Sequence, residues 1–244
     1  MALSRTNRGA ANQAYSTTSS NTLTSGSFTP AGGAVLLALF TEATTDATPA
    51  LTVSSTHSGQ GSWTVYTAIG DDGFGSKIVS YIGWSVCGPS PGAGTITATR
   101  RAGSFSMGMN CDYVEVAGAD GSTPVRQNKT NTSGAVTTID LNLTSSPLAS
   151  SFLFFSTLMN GTTGVVTVPT GTTQIGTQFA IGSFCSTSAE DLSSVAQNNQ
   201  FTGGNGGNTN SGVAIEIQAS TGAPVVKFFG GTPFAGLSQQ KGRW

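Results

Sequence analysis

Apolar and polar residues alternate most clearly between residues 77 and 120. In KIVSYIGWSV, Ile78, Ile82, Trp84 and Val86 share one parity and Lys77, Gly83 and Ser85 take the other; in MNCDYVEVAGAD, Val114 and Val116 oppose Tyr113 and Glu115. A period of two marks half-buried strands. Between them CGPSPGAG places Pro89, Gly92 and Gly94 where the chain must reverse, and TITATRR follows. The block predicts three strands of one antiparallel sheet. Upstream come TLTSGSFT, a PAGG turn and AVLLALFTE, whose run from Val35 to Phe40 is apolar on both parities. Such a run predicts a central strand covered on both faces. LTVSST and SWTVYTAI, separated by HSGQG, continue the series, whereas residues 1–15 have no periodicity and read as an extended N-terminal arm.

After the polar connector GSTPVRQNKTNTSGA the same order returns. TTIDLNLTSSPLASSFLFFSTL resembles NTLTSGSFTPAGGAVLLALF, GVVTVPTGTTQIGTQFAI resembles LTVSSTHSGQGSWTVYTAI, and VAIEIQAS resembles DYVEVAGA, with Glu216 answering Glu115. The pattern predicts two degenerate copies of one sheet motif, about residues 21–120 and 135–219. The second copy is shorter where the first has its central block, and the Asn/Gly-rich run NNQFTGGNGGNTNSG fills that place, of which GGNGGNTNSG, residues 203–212, reads as a flexible surface loop. Two amphipathic sheets leave an apolar face each unless they pack together. The expected fold is therefore all-β, an antiparallel β-sandwich of jelly-roll or immunoglobulin-like type over residues 16–219, with two small sandwiches in tandem as the alternative to a shared core. SAEDLSSVAQ, residues 188–197, is the one stretch that reads as a helical turn. Residues 220–244 depart from the repeat and carry Phe228, Phe229, Phe234 and Trp244, a closing strand followed by a tail.

Composition narrows the class. Hydrophobic residues make up 37% of the 244, enough for a sizeable core, but only 9% are charged, against roughly 25% in an average domain. Solubility then rests on Ser, Thr, Asn and 33 glycines, a surface suited to packing against neighbours. A net charge of −1 argues against binding nucleic acid by phosphate neutralisation. No run approaches a membrane span or a secretory signal. Cys87, Cys111 and Cys185 are odd in number and scattered, which fits reduced core thiols better than a disulfide framework or a zinc site.

Chemistry is sparse. A Ser-His-Asp site would need His57, the one histidine, yet no nucleophile elbow accompanies it. Asp71 and Asp72 in GDDGFG could offer calcium oxygens, but adjacent acids in a glycine loop read first as a solvated turn. Glu115 and Glu216 occupy matching positions in the two copies and an outward parity, so duplication explains them better than a glycosidase pair. The expectation is a chain without catalytic residues, cofactor or metal. Tyr66 and Tyr81 are the candidates for an exposed glycan-stacking platform.

FTPAGGAVLLALF, SWTVYTAI, IGWSVCGPSPGAGTITATR, YVEVAGADGSTPVRQ and VAIEIQAS together resemble a recurrent β-sandwich of virion structural proteins in tailed bacteriophages, over about residues 21–220. The resemblance rests on strand, turn and Gly-Ala-Asp positions and transfers no active residue. It implies a virion component assembled in the host bacterial cytoplasm. The first form is a capsid decoration protein that stabilises the head by binding the major capsid protein and other virion subunits, as a homo-oligomer or in many copies per particle. The alternative is a tail or fibre adhesion module for host-surface glycans. Candidate subunit contacts are Arg5 and Arg8 in the arm and Phe228, Phe229, Phe234, Lys241, Arg243 and Trp244 in the tail.

Overall fold

The structure is a computed structural model and describes residues 2–14, 21–101, 106–134, 136–160, 165–181, 183–193, 198–203 and 209–220. Among them there is no helix; every regular element is a strand and every named pairing is antiparallel. The first large sheet joins β1 (Ser4–Ala14), β8 (Ser106–Ala117), β3 (Val35–Thr44), β6 (Lys77–Val86) and β5 (Thr64–Asp71), in that order. The second joins β9 (Val125–Ser133), β15 (Asn210–Ile217), β11 (Phe152–Asn160), β13 (Phe184–Asp191) and β12 (Thr173–Ile181). A small sheet of β2 (Thr22–Thr24), β7 (Ile96–Arg100) and β4 (Leu51–Ser55) covers the first, and β10 (Thr138–Asp140) with β14 (Gln200–Thr202) covers the second.

The result is a stack of layers with three apolar interiors. Leu36, Ala38, Phe40, Val79, Tyr81, Cys111 and Tyr113 of the first large sheet pack on Leu23, Val53, Ile96 and Ala98 of its small partner. On its other face Val35, Leu37, Leu39, Ile82, Val114 and Val116 meet Phe154, Ile175, Val213, Ile215 and Ile217 of the second large sheet. Beyond that sheet Leu153, Phe155, Met159 and Ala214 pack on Ile139 and Phe201. The doubly apolar run from Val35 to Phe40 is the middle strand of its sheet, as its pattern predicts, because both faces are covered. The seam between the large sheets is also hydrogen-bonded: Thr41 Oγ1 donates to Ser186 Oγ at 2.7 Å, Ser80 and Ser211 hydroxyls meet at 2.9 Å, and Ser156 Oγ donates to the Phe40 carbonyl at 3.1 Å. A hydroxyl in an apolar seam is tolerated only where it finds such a partner, so these pairs help fix how the sheets register.

Several expectations are corrected. The strands of residues 77–120 do not form one three-stranded piece: β6 and β8 flank β3 on either side, and β7 crosses to the small sheet. Nor are β6 and β8 half-buried, because the small sheet covers their second face and buries Val79, Tyr81 and Tyr113. The arm is an edge strand, β1, registered against β8 from Ser4 opposite Ala117 to Ala14 opposite Gly108. Of the run read as a helical turn, residues 188–191 lie in the buried strand β13. Of the run read as a surface loop, residues 210–212 open the buried strand β15, and Gln200–Thr202 just before the run is β14. Residues 221–244 lie outside the described residues, and with them Phe228, Phe229, Phe234, Lys241, Arg243 and Trp244.

Candidate functional site

Two carboxylates at matching places in the large sheets form the most organised polar sites. Glu115 opposes Leu36 on β3, and Glu216 opposes Leu153 on β11. Glu115 Oε2 takes the Arg8 guanidinium, with Nε at 2.8 Å, while its Oε1 accepts the backbone N–H of Ala31 at 2.8 Å. Glu216 Oε2 takes Arg126 Nη1 at 2.8 Å and Gln127 Nε2 at 2.6 Å, while its Oε1 accepts the N–H of Leu148 at 2.8 Å. Ala31 and Leu148 each follow a proline at the turn before the central strand, and Arg8 and Arg126 each sit at a bulge in the edge strand beside the carboxylate's own. One arrangement is thus built twice: an edge-strand arginine, a buried glutamate and a Pro-X amide tie the edge, its neighbour and the turn together. Burial alone would raise the Glu216 carboxyl, but the Leu148 N–H, Ser151, Gln127 and Arg126 outweigh it and hold it below the usual range.

These glutamates do not face outward. Glu115 is 3% exposed and Glu216 fully buried, so the outward parity expected of them is corrected: the turns at Ala31 and Leu148 close over them. Arg5 and Arg8, the arm's candidate subunit contacts, are both paired within the chain. Arg8 is held by Glu115 and its guanidinium stands 4.7 Å above the Phe28 ring, and Arg5 Nε lies 2.6 Å from Glu190 Oε2 across the seam.

A second polar cluster lies where β1 and β8 meet β13. Burial is the main cause that raises Asp112 to about 6, against the relief from Ser188, Asn110 and Arg5. Its Oδ1 accepts no hydrogen bond, and a Cβ on Gly176 of β12 would stand 2.6 Å from it. Glu190 is raised by the same burial, against Arg5. On the far face of β3, Glu42 is raised to about 7, again by burial first, although Tyr81 Oη donates to its Oε1 at 3.1 Å and Arg100 stands near. Asp112, Glu190 and Glu42 are all buried.

The remaining candidates are absorbed by the fold. His57 is buried: Nδ1 meets Ser55 Oγ at 2.6 Å, Nε2 meets the Phe28 carbonyl at 3.1 Å, and the ring packs on Phe28. Asp72 Oδ1 accepts the N–H groups of Phe74 and Ser76, both at 2.8 Å, Asp71 Oδ1 accepts that of Gly73, and Lys77 pairs with Asp71. The loop is the solvated turn its sequence suggests. Tyr81 is 1% exposed, an interior ring against Phe40, so its place in a glycan platform is corrected. Tyr66 is half-buried against the seam. Among the described residues no group of His, Cys, Asp and Glu could hold a metal ion, and Cys87, Cys111 and Cys185 are all buried. The concave places are shallow and polar, as at Asn142–Pro147 with Asn199.

Comparison with protein-family models, with curated proteins and with solved structures gives no match for this chain.

Proposed function

We propose that the chain is a non-enzymatic structural component of a virion, a decoration protein on the outer surface of a tailed-phage head. Its partner would be the major capsid protein and its place of assembly the host bacterial cytoplasm. The observation that supports this reading is the use made of reactive side chains. Glu115, Glu216, Arg5, Arg8, Arg126 and His57 all tie strands and turns together, as suits a structural block. The low charge of the sequence and its polar Ser, Thr and Asn surface support it further, since such a surface loses little on packing against a shell. A tail or fibre adhesion module is the weaker alternative, because of the two tyrosines singled out for its glycan platform Tyr81 is buried and Tyr66 half-buried.

The equal strand orders of the large sheets, β1-β8-β3-β6-β5 and β9-β15-β11-β13-β12, support descent from one duplicated motif. Within each half the chain passes repeatedly between a large and a small layer, and we propose a jelly-roll or immunoglobulin-like sandwich type on that ground. Mass spectrometry of particles purified from a source carrying this gene tests the function. The chain should be found in many copies per particle, and particles assembled without it should release their genome at a lower temperature. A chain absent from washed particles would contradict the reading.

A further inference from the structure

Each large sheet ends in two edge strands, and three of the four edges are guarded against further pairing. β1 carries a bulge between Asn7 and Ala10, with Arg8 and the left-handed Gly9 (φ 98°) inside it. β12 is broken between Ile175 and Phe179, with Gly176 at φ 64°. β9 carries Arg126 and Lys129. Bulges and edge charges of this kind prevent a sheet from continuing into another molecule. β5 has neither: its register to β6 is unbroken from Thr64 to Asp71, and no charge occurs before Asp71.

The direction of its free backbone groups follows from the ladder. Asp72 N–H donates to the Ser76 carbonyl at 3.1 Å, which continues the register of Asp71 with Lys77 as a hydrogen-bonded pair. Alternation then turns the even residues of β5 toward β6 and the N–H and C=O groups of Val65, Thr67 and Ile69 outward. Among the described residues no strand pairs with them. Ile69 is also 44% exposed, a large apolar side chain beside an open edge.

We propose that the β5 edge is a docking surface for a second copy of this chain, joined antiparallel about a two-fold axis at Thr67. The argument for that occupant is self-complementarity. An axis normal to the sheet keeps each face on its own side, so only registers that pair residues of equal parity are allowed. With Thr67 opposite Thr67, Val65 falls opposite Ile69 and Tyr66 opposite Ala68. Val65, Thr67 and Ile69 are the outward-directed residues, so each of their pairs exchanges two N–H···O bonds. The exposed Ile69 gains an apolar partner on its own face, and no charge meets its like. Joining the sheets this way makes one continuous sheet of two copies, with an isologous interface. The inference does not depend on the virion reading.

The test is the molar mass of the full chain by light scattering after gel filtration, at micromolar concentration. The native chain should have twice the 24.6 kDa of one chain, and Thr67→Lys, which sets two ammonium groups at the axis, should return it to one. A native chain that is monomeric, or a Thr67→Lys chain that remains dimeric, would overturn the proposal. So would a dimer lost on deletion of residues 221–244 while Thr67→Lys leaves it intact, which would assign the contact to the tail. If Thr67→Lys does not fold, Thr67→Cys decides: Cα atoms of a hydrogen-bonded pair lie about 5.5 Å apart, within disulfide reach. Mild oxidation should link Thr67→Cys chains in pairs and leave Thr177→Cys, on the bulged β12 edge, unlinked; equal linking at both positions would overturn it.

Discussion

At the scale of single residues, buried carboxylates fall into two kinds with opposite consequences. Glu115 and Glu216 are fully partnered, so truncation strands an arginine and a backbone N–H. Glu115→Ala and Glu216→Ala should each cost roughly 2–4 kcal/mol in urea unfolding, while Glu115→Gln, which keeps an acceptor for Ala31, should cost less. The two losses should add, because the sites share no partner. Asp112 and Glu42 are instead raised by burial, to about 6 and about 7. A carboxyl raised in the fold favours the protonated form there, so its contribution is fully present below its unfolded value near 4 and is lost as pH rises through 6 to 7. At roughly 1.4 kcal/mol per unit the loss is on the order of 3 kcal/mol for each group at most. Asp71, Asp120 and Glu216 are lowered and act the other way, losing stability in acid. Melting temperature should therefore peak in mildly acidic buffer and fall toward pH 8, and Asp112→Asn should raise it at pH 8 and flatten the fall. A Tm of Asp112→Asn below the native value at pH 8 would contradict this assignment. The equivalence of Glu115 and Glu216 was legible in the sequence; their burial was not, because parity shows which residues share a face and not whether a turn closes over it.

At the scale of elements, the apolar strands were legible and the polar ones were not. β3 and β11 announce themselves by runs apolar on both parities. β1 is SRTNRGAANQA, with no large apolar residue, and its docking rests on backbone pairing, on Arg8 and Arg5, and on Ala11 and Leu3 against two of the interiors. β13 is FCSTSAED, largely small and polar yet wholly buried, and its Ser186 Oγ accepts from Thr41 Oγ1 and Asn110 Nδ2 across the seam. Local propensity carries no sign of such a partner. If β1 belongs to the sheet, deleting residues 2–14 should uncover β8 and Cys111. No thiol of the native chain should react with a disulfide reagent at pH 8, where burial pushes Cys87 up to about 11 and Cys111 well above its ordinary value. The truncated chain should react within the mixing time and aggregate. A truncated chain that stays soluble and unreactive would return residues 1–15 to the status of a dispensable arm.

At the scale of the whole molecule, the two halves share a core. The repeat predicts two sheets, but whether they close on each other could not be read from it, because the seam residues and the residues facing the small sheets are equally apolar. Val35, Leu37, Leu39, Val114 and Val116 on one side and Phe154, Val213, Ile215 and Ile217 on the other would be laid bare if the halves parted. Thermal unfolding should therefore be a single transition, and residues 1–120 or 121–244 expressed alone should be insoluble; two separated transitions would show that the halves fold independently. A rigid stack of this kind, with its charged groups turned to internal ties, is what the proposed role on a particle surface asks for. The most direct test of that role is electron cryo-microscopy of intact particles from a source carrying the gene. The account predicts density for a layered sandwich of this size, repeated over the outer capsid lattice. Density confined to the tail or fibres, or none at all on the particle, would contradict it.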